Sequence, residues 1–358
     1  MKVCIVGSGL TSLTLAKALV NQNIFVDMFD QKKSILVNKS RTIGISLSNV
    51  DFFNNNIINI KKILWKIKKI EIFTDNLKNE KLLKFESNDK EIFSIIKNYK
   101  LYDILNKSLK KNKFFSKINS KKFFVLLKDY DLIINTNYFN TITRKYFNRK
   151  IIKEYNSIAY TTIIDHKKIE NNVATQIFSK LGPIAFLPIS NNQTSVVFSI
   201  KNDLIKNKND IIKLIYKYNY KYKILNASKV ETFDLKSFNL RSYYYKNILA
   251  FGDLLHRIHP LAGQGFNMTI RDIKILTKII NNRFKLGLPL DSSVNQEFEK
   301  LSKDRNFIFS NSIDFIHEFF NFERKSKNNF LSKSVRMLGK NQSLNKVFMK
   351  IADEGLIF

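Results

Sequence analysis

The run Lys2-Val3-Cys4-Ile5-Val6 is β-branched and apolar, stops at Gly7-Ser8-Gly9, and gives way to Leu13, Ala16, Leu19 and Val20 at helical spacing. This strand, glycine turn and helix constrains the fold more than any other stretch, because it leaves few options other than a βαβ unit on a parallel sheet. Gly7 suits the tight turn. Gly9 lets the backbone approach a pyrophosphate held at the helix N-terminus. A second apolar strand, 25 to 30, ends in Asp30, roughly twenty residues beyond the first glycine, where a ribose-binding carboxylate is expected. Ser12 stands where a third glycine would be and is small enough for close helix–strand packing. Taken alone, the stretch also fits a βαβ unit that binds nothing.

A second glycine-rich stretch lies far along the chain. Residues 251 to 267 read Phe-Gly-Asp-Leu-Leu-His-Arg-Ile-His-Pro-Leu-Ala-Gly-Gln-Gly-Phe-Asn, and Ile270, Ile273, Leu276 and Ile280 follow at helical spacing. Gly263 to Asn267 is therefore expected to form a loop and first helical turn, with free backbone N–H groups and the positive end of a helix dipole at a glycine-lined surface. Electron-rich ligand atoms bind well there. A glycine turn entering an ordinary core helix is the competing reading of this stretch alone.

Composition excludes several classes. The 358 residues, 44% of them hydrophobic, suffice for two packed lobes. The single cysteine, Cys4, sits within the first strand, so no internal disulfide forms, and no Cys/His cluster suggests zinc. The net charge of +31 invites a nucleic-acid reading, but lysine is spread over the whole chain with abundant Asn and Ile. Runs such as Lys110-Lys111-Asn112-Lys113 read as exposed turns, and no nucleic-acid partner is expected. The glycines and the continuing strand pattern argue against a signal peptide. No segment has the apolar length of a membrane span. A cytoplasmic protein is the expectation, with peripheral attachment at the inner face of the membrane drawn from its charge and from the Phe-rich segment 315 to 322.

Between these poles the periodicity is blurred. Residues 101 to 109 read as a helix, and 122 to 128 and 131 to 135 as strands joined at Asp129-Tyr130. Alternating segments at 157 to 164, 183 to 188 and 194 to 200 suggest an antiparallel sheet laid over the nucleotide lobe. From Asn267 onward the chain reads as mostly helical, with Phe307, Phe315, Phe319 and Phe320 expected in the core or a substrate channel.

Together these features resemble the ubiquinone-biosynthesis hydroxylases, FAD-dependent class A aromatic monooxygenases with the para-hydroxybenzoate hydroxylase fold. The resemblance rests on Gly7-Ser8-Gly9 with Asp30; on the arginine-led segment Arg41-Thr42-Ile43-Gly44-Ile45-Ser46-Leu47-Ser48; on residues 172 to 188 with Gly182-Pro183 and Leu187-Pro188; and on Gly252-Asp253 with His256 through Asn267. It implies a mixed α/β chain: a Rossmann-like FAD-binding domain over 1–150 and 240–290, an interleaved antiparallel substrate sheet over 151–239 and a helical region over 291–358. FAD contacts are implied at Gly7, Gly9, Leu10, Ser12, Asp30, Arg41, Asp253, Gly263, Gln264, Gly265 and Asn267. His259, Pro260 and Gln264 would flank the flavin, and no catalytic base or metal ligand is assigned. His256 reads equally well as a supporting core residue. The implied chemistry uses NADH or NADPH and O2 to hydroxylate a prenylated phenol, and a quinone-synthesis complex is an implied partner.

Four features depart from the family pattern. Asn137-Tyr138 replaces an Asp-Gly pair, Tyr99 with Lys100 stands near an arginine position, Leu254-Leu255 replaces two alanines, and the region before Asp131 is shortened. An amide cannot supply a carboxylate's charge-assisted bonds, and Tyr tolerates positive φ poorly. They motivate an alternative: a flavin-poor, non-catalytic homologue serving as a binding component of a quinone-synthesis assembly.

Overall fold

The apolar strand runs pair as their composition dictates, since strands covered on both faces need continuous rather than alternating hydrophobicity. In the structure, a computed structural model, the described residues are 2–29, 39–75, 81–87, 91–118, 130–205, 207–260, 263–326, 330–339 and 341–355. Asp30, the strand expected at 122 to 128 and Asp129 lie outside them.

In chain order, β1 (Lys2–Val6), α1 (Leu10–Val20) and β2 (Phe25–Phe29) precede β3 (Thr42–Ser46), β4 (Leu64–Ile67), β5 (Lys69–Thr74), β6 (Lys81–Glu86), β7 (Phe93–Lys97) and β8 (Phe115–Ile118). Next come β9 (Leu132–Asn135), β10 (Lys150–His166), β11 (Val173–Phe178), β12 (Pro183–Pro188) and β13 (Gln193–Lys201). Strands β14 (Ile224–Ala227), β15 (Glu231–Leu240), β16 (Tyr244–Tyr245), β17 (Ile248–Ala250) and β18 (His256–Arg257) lead to a glycine-loop helix (Gln264–Lys285) and a long helix (Ser292–Ser326). Helices Phe330–Gly339 and Gln342–Glu354 follow.

Among the described residues, one sheet runs β16-β17-β9-β1-β2-β8, with β1 parallel to β2 and β9. Its core is shared with α1, helix Asn98–Lys110 and the glycine-loop helix. Leu15, Leu19, Leu101, Leu105, Ile273 and Leu276 are all fully buried in it, each contributing roughly 1.5–3 kcal/mol. Cys4 is buried there and its thiol is driven far up by desolvation, so it packs and does not react.

The second sheet runs β18-β15-β10-β13-β12-β11-β5-β6, with β14 on β10. The alternating segments expected at 157 to 164, 183 to 188 and 194 to 200 lie within β10, β12 and β13. β5 and β6, which fall within residues 1–150, join this sheet through parallel pairing of β5 with β11. That pairing lies between residues about a hundred positions apart and leaves no local trace. A third, three-stranded sheet runs β3-β7-β4.

Among the described residues the chain from Gln264 on is mostly helical as expected, but the aromatic assignment divides. Phe320 is buried, whereas Phe307 and Phe315 are 42% and 69% exposed. The long helix turns a polar row inward instead: Asn306, Ser310, Asp314 and His317 are buried at helical spacing. Ser310 and Asp314 meet polar partners on the second sheet and Asn306 meets Asp272 on the glycine-loop helix, so burial of these groups is compensated by hydrogen bonds.

Candidate functional site

Two glycine motifs 240 residues apart in sequence are brought into contact by Gly252. It adopts φ 66°, and a Cβ there would stand 2.5 Å from Thr11 Cγ2 in the first turn of α1. Asp253 follows in the same tight turn, exposed and without a hydrogen-bond or ion-pair partner for its carboxylate among the described residues. A carboxylate exposed there can accept hydrogen bonds from a ligand's hydroxyl groups.

The two helix starts share one construction. Helix α1 has Gly9 at its N-cap and the glycine-loop helix has Gly263, and neither start receives a side-chain cap. Their first-turn amides keep their capacity to donate. Gly9 and Gly265 have open space where a Cβ would stand, so a ligand can approach both backbones. Gly7 is enclosed: its Cβ would meet Thr136 Oγ1 at 2.4 Å. Ser12 is fully buried and shares a 2.7 Å hydrogen bond with Thr136. Its hydroxyl therefore holds α1 against the β9 end rather than facing a ligand. Leu10 is half-buried against the first core.

The arginine-led segment meets the glycine loop directly. Gly263 is left-handed at φ 65°, and a Cβ on it would approach the Gly44 amide nitrogen to 3.2 Å. Asn267 clips the two together: its Oδ1 accepts from Ser46 N and Asn49 Nδ2, both at 3.0 Å, while its Nδ2 donates to the Gly44 and Gly263 carbonyls. With its amide so committed, Asn267 shapes the loop. Gln264 is buried and accepts from Arg271 Nη2 at 3.3 Å. Arg41 is exposed, its guanidinium 5.5 Å from the Phe233 ring centroid. Pro260 is half-buried just before the loop.

The departures are absorbed locally. Tyr138 is not among the residues with positive φ, so the Asp-Gly replacement carries no left-handed strain. Asn137 Oδ1 accepts from Phe139 N at 2.9 Å. Leu254 and Leu255 are fully buried in the first core. Lys97, one residue before the Tyr99 helix, donates to Gln193 at 2.8 Å, and burial lowers its pKa.

Both histidines of the motif are buried. His256 Nε2 donates to Asp272 Oδ2 at 2.7 Å, and Asn306 Nδ2 donates to Asp272 Oδ1 at 2.9 Å. This pair ties β18 to both long helices. His259 differs, since neither ring nitrogen has a partner although the residue is 1% exposed. Its ring stands edge-on to Tyr155 (4.9 Å) and 4.6 Å from His317. Tyr155 OH donates to Asp314, which also accepts from Ser237 Oγ at 3.1 Å. Sequence reasoning missed Tyr155, Ser237 and Asp314. Their only trace is the polar row on the long helix, which reads in sequence as a solvated face.

No protein-family model matches the chain. It is 25% identical to the mitochondrial ubiquinone biosynthesis monooxygenase COQ6 of Caenorhabditis elegans over 42% of this chain and 43% of that protein. With the COQ6 of Drosophila melanogaster it shares 24% identity over 80% of this chain and 76% of that one. The chain spans less than half the length of the first relatives it matches, 37% to 43%. Among solved structures, p-nitrophenol 4-monooxygenase PnpA from Pseudomonas putida superimposes with a TM-score of 0.77 at 12% identity, covering 97% of this chain and 96% of that one. HpxO of Klebsiella pneumoniae, complexed with FAD and uric acid, gives 0.75 at 11% identity over 99% and 96%.

The fold is that of the FAD-dependent aromatic monooxygenases. Over the matched residues its sequence is similar to the ubiquinone biosynthesis monooxygenases, at 24–25% identity.

Proposed function

We propose that the chain binds FAD across the two uncapped helix starts and hydroxylates the aromatic ring of a polyprenylated ubiquinone precursor, with NADH or NADPH and O2 as co-substrates. The observation that carries this reading is that open glycines, Gly9 and Gly265, stand at two uncapped helix N-termini, with Gly252 packed on Thr11 in the first turn of α1 and Gly263 packed on Gly44. Bound FAD would supply the redox and oxygen chemistry. The protein's share is positional. The α1 start and Gly9 receive the pyrophosphate, Asp253 accepts from the ribityl chain, and the amides of Gly263, Gln264 and Gly265 face the electron-rich ring edge. FAD content of the purified chain, with bleaching by NADH or NADPH and recovery in air, tests it. A folded, colourless protein that refuses FAD supports the binding-component alternative.

Peripheral membrane attachment is part of the same proposal. Among the described residues no helix is long and apolar enough to cross a membrane. The long helix nevertheless exposes Leu301, Ile308, Phe315 and Phe322, each seven residues from the last and so on one row. On a chain of net charge +31 such a row suits an anionic lipid surface. Flotation with anionic liposomes should retain the protein and lose the Phe315→Ser/Phe322→Ser double variant. Equal flotation of the two removes the proposal.

A further inference from the structure

Helix Gln342–Glu354 ends against the start of the glycine-loop helix, and its last turn is finished by residues from elsewhere in the chain. The end of a helix leaves carbonyl groups without intrahelical partners and favours a positive charge beside them. Here the Asp353 carbonyl accepts from Ser46 Oγ at 2.9 Å and from Ser48 Oγ at 3.1 Å, and the Ala352 carbonyl accepts from Arg271 Nη2 at 3.4 Å. Gly355 closes the turn at φ 82°, and a Cβ on it would lie 2.7 Å from Arg271 Nη1. The guanidinium is thus packed on the helix end.

Asp353 and Arg271 also reach the two backbone segments that meet at the glycine loop. The short helix Leu47–Phe52 starts at Ser46, whose own side chain makes no cap. The Asp353 carboxylate does that work from 305 positions away, its Oδ1 accepting from Ser48 N at 2.9 Å. Ser46 is thereby held twice, its amide by Asn267 at 3.0 Å and its hydroxyl by the Asp353 carbonyl. On the other segment, Arg271 Nη2 donates to Gln264 Oε1 at 3.3 Å, with the guanidinium 4.6 Å from the Phe309 ring centroid. Burial, opposed by Asp272 and Asp353, lowers the Arg271 pKa to about 10, so the group is a cation at neutral pH. The two segments touch where a Cβ on Gly263 would stand 3.2 Å from the Gly44 nitrogen. A helix that only covered apolar surface would need neither side chain, and drawing a carboxylate and a guanidinium out of water is costly unless the bonds they make fix something.

We infer that Asp353 and Arg271 are positioning residues of the candidate flavin site: they fasten helix Gln342–Glu354 to the Gly44–Ser48 segment and to Gln264, and so couple docking of that helix to binding of the flavin. This rests on the flavin reading above and extends the site to a helix that its glycine motifs do not include. The coupling is reciprocal, because whatever the docked helix adds to FAD affinity, bound FAD returns to the docked helix.

Amide hydrogen exchange of residues 342 to 354 with and without FAD, joined to FAD titration of variants, tests the inference without turnover. Saturating FAD should slow exchange in that helix by about tenfold or more. Asp353→Ala should weaken FAD binding by about tenfold and abolish the slowing even at FAD concentrations that fill the site. Asp353→Asn, which keeps an acceptor for Ser48 N, should stay within about threefold of wild type. Arg271→Met should weaken FAD binding as well, and the Asp353→Ala/Arg271→Met protein should lose less than the two single effects combined, since both act through one helix. Exchange in 342 to 354 that ignores FAD, or a folded Asp353→Ala protein of unchanged FAD affinity, overturns the inference. The exchange comparison uses the unmodified chain and stands if a variant does not fold. A wild-type chain that takes up no FAD sinks the flavin reading and this inference with it, whereas FAD-loaded wild type with an unresponsive helix sinks this inference alone.

Discussion

Gly252 rests on Thr11: a Cβ on the glycine would come within 2.5 Å of the threonine methyl, with φ held at 66°. This contact fastens the turn that carries Asp253 to the first turn of α1, and so sets the spacing between the two halves of the candidate flavin site. Gly252→Ala should cost about 2 kcal/mol or more, from left-handed strain plus the clash. A drop in the urea midpoint at constant slope is the expected reading.

Gly9→Ala is the contrasting case. Gly9 has φ −72° and nothing within 4 Å of its Cβ position, so stability should change by no more than about 1 kcal/mol. The added methyl occupies the approach to the α1 amides, and FAD affinity should fall at least about tenfold. Parallel denaturation and flavin titration separate the two effects.

The Asp272 carboxylate accepts from His256 and Asn306 in a fully buried setting. Asp272→Ala strands both donors and should destabilise by about 3–5 kcal/mol. Replacing it with Asn leaves an acceptor and should cost less, which thermal unfolding of the two variants will rank.

His259 gives the stability a pH dependence of known sign. Its folded pKa lies well below the ordinary 6.5, so between the two values the unfolded chain binds more protons than the folded one. Stability attributable to this group is therefore undiminished above pH 6.5 and falls as pH drops below it, by up to about 1.4 kcal/mol per pH unit. The difference in unfolding free energy between wild type and His259→Gln should move in that direction between pH 7.5 and 5.5. A difference that stays constant over this range contradicts the assignment.

Gly182 has φ 145°, and a Cβ there would lie 1.9 Å from the Ser199 carbonyl oxygen. Gly182→Ala should therefore damage the β12–β13 pairing by about 2 kcal/mol or more, measurable by denaturation.

The parts of this fold that were legible in sequence are those where one local rule suffices. The Gly7-Ser8-Gly9 turn between β1 and α1, strand Pro183–Pro188 and the glycine-loop helix each follow from adjacent residues. Placement of β5 and β6 in the second sheet depends on distant pairing with β11, which no periodicity within 51 to 130 encodes. The long helix misleads for a related reason. Its exposed Leu301, Ile308, Phe315 and Phe322 and buried Ser310, Asp314 and His317 invert the usual hydrophobic-in pattern. The partners that make the polar row favourable, Tyr155, Ser237 and Asn239, lie more than seventy residues away in sequence. Of the candidate site, the two glycine turns before the helices were legible from spacing, whereas a role for Asp253 was implied only by the family resemblance. The structural commitments of Ser12 and Asn267 were not legible, because their partners are set by tertiary contact.

The visible absorption spectrum of the chain purified from FAD-supplemented cells, with release and identification of the bound flavin, tests the central claim most directly. The account gives near-stoichiometric FAD that bleaches with NADH or NADPH and recovers in air. A folded protein that stays colourless and takes up no FAD contradicts it.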